Sequence, residues 1–220
     1  MKKDNKLISL IFGIALAVLI ITFSIGLPIY VRPFYYWHID ALEMPEYTEW
    51  SREQIKDAYD DVLDYLTLPG HEFGTGELKY SEEGKAHFAD CKVLFDLNRN
   101  ALLISLATVV LLLILNKRGA IRLSRPGGLG VPFYSGVSVL ITFVSVGLLA
   151  SQNFDKAFTI FHKIFFPGKD NWMFDPRTDE IIWVMPQEFF MDCAILICLS
   201  IVLISITLIC VEAAKKRREK

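Results

Sequence analysis

The sequence predicts an all-α membrane protein with four transmembrane helices, an N-in/C-in orientation and a small extracytoplasmic cap. Apolar residues make up 53% of the 220-residue chain, a share too high for an ordinary soluble domain. Four apolar stretches each provide the roughly 20 helical residues that cross a hydrocarbon core of about 30 Å. Charge is divided unequally between the segments that separate these stretches, and this division predicts the orientation.

Positive charge is concentrated in the N-terminal tip, in the middle loop and in the C-terminal tail. Only three acids, Asp4, Glu212 and Glu219, accompany twelve cations there. Those cations are Lys2, Lys3, Lys6, Lys117, Arg118, Arg122, Arg125, Lys215, Lys216, Arg217, Arg218 and Lys220. The segment 31–97 has the opposite balance, with fifteen acids and six bases, and acids also outnumber bases in 151–188. Because cationic loops remain in the cytoplasm, both termini are predicted inside and both larger loops outside.

The apolar and polar segments divide the chain into successive parts. In order they are transmembrane helix 1 at 7–30, an extracytoplasmic cap at 31–92, transmembrane helix 2 at 93–116, a cytoplasmic basic loop at 117–128, transmembrane helix 3 at 129–150, an extracytoplasmic loop with an interfacial aromatic helix at 151–188, transmembrane helix 4 at 189–211 and a cytoplasmic tail at 212–220. The first stretch begins like a signal peptide. It is too long for the hydrophobic region of such a peptide and no small-x-small cleavage site follows, so we expect a retained anchor.

Two helices are predicted in the cap. Ser51 is a candidate N-cap for a helix over 50–66, in which apolar residues recur at helical spacing. Ser81 is a candidate N-cap for a second helix, whose first turn holds two acids. No breaker follows before the second apolar stretch, so this helix is predicted to continue into the membrane. Further along, the run 181–184 suggests a strand after a turn.

A short amphipathic helix is predicted over 154–166, ended by Pro167 and Gly168. Its apolar side is almost wholly phenylalanine and consists of Phe154, Ala157, Phe158, Phe161 and Phe165. Helices of this kind lie in the membrane surface with their rings among the acyl chains. His162 is predicted at the margin of this apolar side.

The sequence contains no Gly-Lys-Ser phosphate loop, no HExxH and no GxSxG. Two histidines nevertheless have plausible settings for chemistry. His87 and Asp90 are three residues apart on one helix face, so the carboxylate could orient the imidazole or stabilise its charge. A structural interpretation stays open, since exposed His–Asp pairs are common and His162 could be an amphipathic residue at the interface. His38 and His71 have less context and are interpreted as structural.

No metal site is predicted, because metal-ligand spacings such as HxH and HxxxH are absent. If the chain does bind a metal ion, the candidate ligands are the two imidazoles with Asp90 or Asp175.

Three of the four cysteines lie in the last apolar stretch, where a thiol is a small hydrophobic group. Cys91 lies outside it and could pair with Cys193, although one pair is not a disulfide framework. The outer loops lack interleaved basic and aromatic residues, so no nucleic-acid partner is expected.

Two runs of residues carry a family resemblance. The first comprises Tyr80, Ser81, Glu82, His87, Phe88, Asp90, Cys91, Lys92 and Leu94. The second comprises Phe158, Phe161, His162, Phe165, Phe166, Trp172, Phe174, Asp175, Pro176, Asp179, Ile182, Pro186, Phe189 and Phe190. Together they resemble the lipoprotein intramolecular transacylase family, over nearly the whole chain. Cys91 stands where that family usually has a small aliphatic residue.

The resemblance implies a specific reaction. The family acts on diacylated bacterial lipoproteins in the cell membrane, whose N-terminal cysteine carries a diacylglyceryl thioether. It moves the acyl chain from the sn-2 ester to the cysteine α-amine and leaves an N-acyl, S-monoacylglyceryl lyso-form. No cofactor is implied, because acyl donor and acceptor belong to one molecule. The implied partners are the lipoprotein and membrane lipids, and the active site is expected on the extracytoplasmic face.

By the matching positions, His87 and His162 are the implied catalytic pair, with Asp90 in support. A histidine that titrates near neutrality can take a proton from the α-amine and return one to the leaving alkoxide. We expect His87 as general base and acid, Asp90 as its orienter and His162 as the oxyanion or leaving-group partner, with the two histidine roles exchangeable. The residues expected to bind the acyl chains are Phe158, Phe161, Phe165 and Trp172.

Two other interpretations remain open. One is a non-enzymatic outer-face protein for membrane binding or assembly, whose acidic and aromatic loops dock another membrane protein. The other is a membrane hydrolase or metalloenzyme. Mass spectrometry of lipoprotein N-terminal peptides separates transacylation from docking, and sensitivity to chelators separates metal chemistry from imidazole chemistry.

Overall fold

The computed structural model describes residues 4–219, so Lys2, Lys3 and Lys220 of the predicted cationic set lie outside the described residues. Within this range the regular structure is helical, which confirms the all-α prediction. The α-helices are α1 (Lys6–Tyr30), α2 (Pro33–Ala41), α3 (Met44–Tyr47), α4 (Arg52–Thr67), α5 (Glu82–Lys117), α6 (Val131–Ala150), α7 (Phe154–Phe165), α8 (Ile181–Val184) and α9 (Gln187–Arg218), with a single 3₁₀ turn at Pro126–Gly128.

Four helices in the described range, α1, α5, α6 and α9, are long and apolar enough to cross a membrane, as predicted. Helix α5 has 36 residues and continues without a break from its predicted N-cap into the second apolar stretch. At 1.5 Å per residue it is roughly 54 Å long, nearly twice a bilayer's hydrocarbon thickness. Because Glu82, Glu83 and Lys85 lie at its N-terminal end, we expect residues 82–92 to extend beyond the membrane.

The described residues form two compact units, and the first consists of residues 4–26, 98–149 and 196–219. Its buried apolar core is Phe12, Leu16, Ile20, Val109, Val139 and Ile201. Helices α6 and α9 approach closely at Gly136, where a Cβ would be 3.0 Å from the backbone oxygen of Ser205. Small residues at such crossings are typical of helices that pack within a bilayer.

The second unit consists of residues 27–97 and 150–195, and it contains all the candidate site residues. The predicted helix after Ser51 is α4, which begins with a capping box formed by Ser51 and Gln54. Its apolar face is the centre of the unit's core. There the ring of Tyr59 stacks on Tyr35 of α2 with centroids 3.5 Å apart.

The predicted strand at 181–184 is wrong, because these residues form the single-turn helix α8. Ile181 and Val184 are both buried in the core of the second unit. Residues three apart share a side in a helix, whereas in a strand they face opposite sides. The hydroxyl of Tyr35 donates to the carbonyl of Val184, which fixes this turn against α2.

Candidate active site

The start of α5 positions His87. Ser81 caps this helix, since its Oγ accepts a hydrogen bond from the N–H of Gly84 at 2.9 Å. The backbone N–H and the hydroxyl of Ser81 both donate to Oδ1 of Asp179, each at 2.9 Å. Asp179 is only 4% exposed, and Thr178 donates to its second oxygen. The first turn of α5 is therefore held by an acid from the loop that follows α7.

The same loop is joined to the chain at two further points, one just before α5 and one within it. The N–H of Lys79 donates to the carboxylate of Glu180 at 2.8 Å, and the N–H of Glu180 donates to the carbonyl of Lys79 at 3.0 Å. On the other side of His87, Asp90 accepts hydrogen bonds from Lys169 and from Nδ2 of Asn171. These contacts fix the loop to the chain on both sides of His87.

His162 lies on α7, the predicted amphipathic helix. Asn153 caps this helix by accepting a hydrogen bond from the N–H of Lys156 at 2.9 Å. The Nδ1 of His162 is 2.8 Å from the carbonyl oxygen of Phe158, one turn earlier. Because a carbonyl oxygen can only accept, Nδ1 carries a proton and the neutral ring has its lone pair on Nε2.

The two imidazoles come together inside an aromatic enclosure. The ring centroids of His87 and His162 are 5.8 Å apart, and both side chains are 6% exposed. Trp172 stacks on His162 at 4.4 Å with an interplanar angle of 24°. Phe166 lies 5.0 Å from the His87 ring and 5.7 Å from the His162 ring, while Phe174 lies 5.5 Å from His87.

The free ring nitrogens distinguish this pair from the other buried histidine. His38 has Nδ1 2.7 Å from the carbonyl of Phe34 and Nε2 3.0 Å from the carboxylate of Asp192, so both nitrogens are occupied. In contrast, Nε2 of His162 makes no hydrogen bond with a described residue, and Nδ1 of His87 is buried without a partner. Among the buried histidines of the described residues, only His87 and His162 therefore have a ring nitrogen that is free to bind another group.

Burial keeps both rings neutral near pH 7. Burial, with a smaller effect of the neighbouring His162, lowers the pKa of His87 to about 4, against the opposing charge of Asp90. Burial also lowers the pKa of His162, against the opposing effect of its hydrogen bond to Phe158. A neutral imidazole has one donor and one acceptor, as general acid–base chemistry requires.

The predicted acyl-binding residues surround His162 to different degrees. Phe158 and Phe161 have ring centroids 4.3 Å and 5.4 Å from the His162 ring. The ring of Phe165 packs at a tilt against Phe161, with centroids 4.7 Å apart, and extends the surface away from the imidazoles. Phe161 and Phe165 are 46% and 48% exposed, so α7 presents an open apolar surface that leads to a buried histidine.

The expected orientation of His87 by Asp90 needs a correction. Asp90 lies one turn beyond His87, but its carboxylate bonds to Lys169 and Asn171 and makes no hydrogen bond to His87. Burial raises the pKa of Asp90, and the bonds from Lys169 and Asn171 outweigh this and keep the pKa below its ordinary value. Asp90 acts on His87 through charge alone, because a cation and an amide compete successfully for its oxygens.

The pair His38–Asp192 was not foreseen from the sequence, since its members belong to helices far apart in the chain and no spacing relates them. Phe166 and Phe174 appear in the family resemblance, but nothing in the sequence showed that they would contact His87.

The described residues contain no group of three or more His, Cys, Asp or Glu side chains that could hold a metal ion. All four cysteines are free thiols, so Cys91 and Cys193 do not form the disulfide considered above.

Gly84 allows the close approach of Asp179 to α5, and we expect Gly84→Ala to destabilise the protein. A Cβ at this position would be 2.1 Å from Oδ1 of Asp179, so the carboxylate has to leave its bonds to Ser81. Leaving buried polar groups unpaired costs about 1–3 kcal/mol. The measurement is the thermal unfolding midpoint in detergent, which should fall.

A matched control is Gly147→Ala in α6, where the nearest atom to a new Cβ is Sγ of Cys198 at 3.7 Å, an ordinary contact. Alanine is favoured over glycine in a helix interior by up to about 1 kcal/mol, so this variant should be at least as stable as the parent. Equal midpoints for the two variants would show that the Asp179 contact does not constrain α5.

Comparison with known proteins identifies relatives of the chain. The model of the lipoprotein intramolecular transacylase Lit family matches residues 10–190. The chain is similar to the solved structure of the membrane-integral lipoprotein intramolecular transacylase Lit from Bacillus cereus, with a TM-score of 0.85, 28% sequence identity and coverage of 97% of each chain. Two structures of Bacillus cereus Lit with one histidine replaced, by alanine or by arginine, have TM-scores of 0.79 and 0.78 at 27% identity. These cover 97% of this chain and 95% and 94% of theirs. No curated protein sequence matches the chain.

Proposed function

Because the chain belongs to the lipoprotein intramolecular transacylase family, we propose that it moves the sn-2 acyl chain of an S-diacylglyceryl lipoprotein to the α-amine of its N-terminal cysteine. The product is the N-acyl, S-monoacylglyceryl lyso-form. The observation that carries this proposal is the convergence of two buried imidazoles, each with an open nitrogen, at the end of an exposed apolar surface. The chain is thus an acyltransferase of a multi-pass membrane family, and the transfer from oxygen to nitrogen is the proposed step.

The hydrogen bonds of the two histidines favour exchanging the roles first expected for them. His162 donates through Nδ1 to Phe158 and presents the Nε2 lone pair, which suits a general base. This bond also supports the positive charge that the ring gains when it accepts a proton. His87 has a buried Nδ1 without a partner, which suits a donor to an oxyanion that exists only during reaction.

The reaction then proceeds in two steps. The α-amine attacks the ester carbonyl carbon while Nε2 of His162 takes a proton from the nitrogen. The tetrahedral oxyanion accepts a hydrogen bond from Nδ1–H of His87. On collapse the bond from carbon to the sn-2 oxygen breaks, and His162 returns its proton to that oxygen. An amide and a free sn-2 hydroxyl result, with no acyl-enzyme and no water consumed.

The two surfaces beside the histidines differ in polarity, as do the two ends of the substrate. Phe158, Phe161, Phe165 and Trp172 are proposed to hold acyl chains, because their rings form the apolar surface that leads to His162. On the other side, Phe174 borders a cavity of about 300 Å³. The cavity's polar lining includes Ser81, Asn171, Asp175, Thr178 and Asp179. We propose that the peptide end of the lipoprotein occupies this side.

The distribution of charge supports a proposal for the location of the site. The cationic middle loop and C-terminal tail favour the cytoplasm, so the acidic segments that contain His87 and His162 are proposed to lie on the extracytoplasmic face. Lipoproteins with a free N-terminal cysteine are anchored at that face. We therefore propose the N-in/C-in orientation with an extracytoplasmic active site.

The test uses purified full-length protein and a synthetic lipopeptide with an S-diacylglyceryl N-terminal cysteine. Intramolecular transfer leaves the mass of the lipopeptide unchanged, moves the acyl mass onto the N-terminal residue in fragment spectra and removes the reactive amine. Mixing light and heavy substrates should give no crossed products. Loss of a fatty acid would indicate a hydrolase, and an unchanged lipopeptide that stays bound would indicate a binding protein; either outcome rejects the proposal.

We expect the pH dependence of the rate to lack a histidine limb near pH 6.5. The substrate amine, with a pKa of about 8, lowers the rate tenfold per pH unit below that value. Because burial lowers the pKa of both His87 and His162, both rings stay neutral at the pH of about 6.5 where an ordinary histidine is half protonated. A plot of log rate against pH should therefore keep a slope near one down to about pH 6.5. A slope that already rises towards two between about pH 7 and about pH 6.5 contradicts this prediction.

A further inference from the structure

Among the buried histidines of the described residues, His87 is held in a different way. His38 and His162 both direct Nδ1 at the carbonyl four residues earlier, at 2.7 Å and 2.8 Å. Nδ1 of His87 has no partner, although the side chain is 94% buried. Its Nε2 is instead 3.4 Å from Sγ of Cys91, one turn later on α5. The backbone therefore does not fix which nitrogen of His87 carries the proton.

The thiol of Cys91 can fix it. Nδ1 has no partner in either tautomer, so the contact of Nε2 with sulfur distinguishes the two. A proton on Nε2 would point at sulfur, a weak acceptor. A proton on Nδ1 leaves Nε2, a good acceptor, to receive the S–H of Cys91. Burial raises the pKa of Cys91 to about 12, so the thiol keeps this proton at neutral pH.

We infer that Cys91 is a positioning residue for His87, whose S–H donates to Nε2 and holds the tautomer that directs Nδ1–H at the reacting oxyanion. The assignment of Nδ1–H to the oxyanion rests on the proposed function, whereas the tautomer itself does not. Cys91 touches neither the acyl chain nor the amine in this scheme. Its effect is therefore expected in the chemical step and not in substrate binding.

The tautomer can be measured directly in the full-length protein. The sequence has four histidines, so ¹⁵N-histidine labelling gives a spectrum with few ring signals, and two-bond proton–nitrogen correlations separate the two tautomers. We expect His87 to be protonated on Nδ1 in the parent and in Cys91→Ser, which keeps a donor. In Cys91→Ala we expect a mixture of tautomers. Cys198→Ala, a matched change in the other unit, should leave the His87 signals unchanged.

Kinetics with the lipopeptide complete the test. Cys91→Ala should lower kcat about three- to tenfold with unchanged KM, the rate factor of one net hydrogen bond, and Cys91→Ser should restore kcat. An Nε2–H tautomer in the parent, or identical His87 spectra in the parent and Cys91→Ala, overturns the inference whatever the activity. A tautomer change with unchanged kcat overturns the link to the oxyanion. The same tautomer change in a protein that transfers no acyl chain supports the positioning by Cys91 and rejects the proposed function.

Discussion

Replacing His162 by asparagine is expected to lower the rate of lyso-form production by about 10²–10⁴-fold, the usual contribution of a general base. The amide nitrogen of asparagine can still donate to the carbonyl of Phe158, so the contact that anchors this side chain on α7 is kept. What is lost is Nε2, whose lone pair is proposed to take the proton of the amine. The measurement is the initial rate with the S-diacylglyceryl lipopeptide, at equal protein concentration.

His71→Asn is the matched control for this variant. His71 is exposed and outside the aromatic enclosure, so the same chemical change there should leave the rate within about twofold, as is usual for surface substitutions. Equal unfolding midpoints for the two variants exclude a loss through misfolding. If His162→Asn transfers acyl chains at the parent rate, His162 is not the base.

Replacing His87 is expected to cost about 10²–10³-fold, the usual effect of losing one oxyanion donor. His87→Ala removes the ring and should show the full loss while protein level is maintained. His87→Asn places an N–H donor near the position of Nδ1 and should lose less activity than His87→Ala. The contrast exists because a donor can be replaced by an amide, whereas a base cannot.

The two substitutions together test the assignment of roles. With His162 as base, asparagine is tolerated better at 87 than at 162. The reverse order of rates means that His87 is the base and His162 the donor. Full activity in His87→Ala rejects a histidine pair altogether.

Local patterns predicted much of the fold. The capped helices after Ser51 and Ser81 and the amphipathic helix that ends at Pro167 were predicted within a few residues, because caps, breakers and apolar spacing act within one or two turns. The run at 181–184 was interpreted as a strand, since four apolar residues have no clear period. Burial against Tyr35 made it a helical turn, and this contact is not visible from the run itself.

The candidate site was predicted in its residues but not in its hydrogen bonds. His87 and His162 were named through a resemblance between short motifs, and the two rings are close in space. Asp90 was expected to bond to His87 because both lie on one helix face. Lys169 and Asn171 take that carboxylate instead, and both come from a loop whose position depends on the packed unit.

The helical class and the four membrane-spanning stretches could be predicted from the residues alone, since apolar length is a property of each segment. Which ring nitrogens of the histidines are free could not be predicted, because this depends on partners from elsewhere in the fold or on the rotamer of the ring. The loop held by Asp179 and Glu180 brings Phe166, Trp172 and Phe174 around two rings from different helices. Packing between segments distant in the chain makes that enclosure, and no periodicity within one segment encodes it.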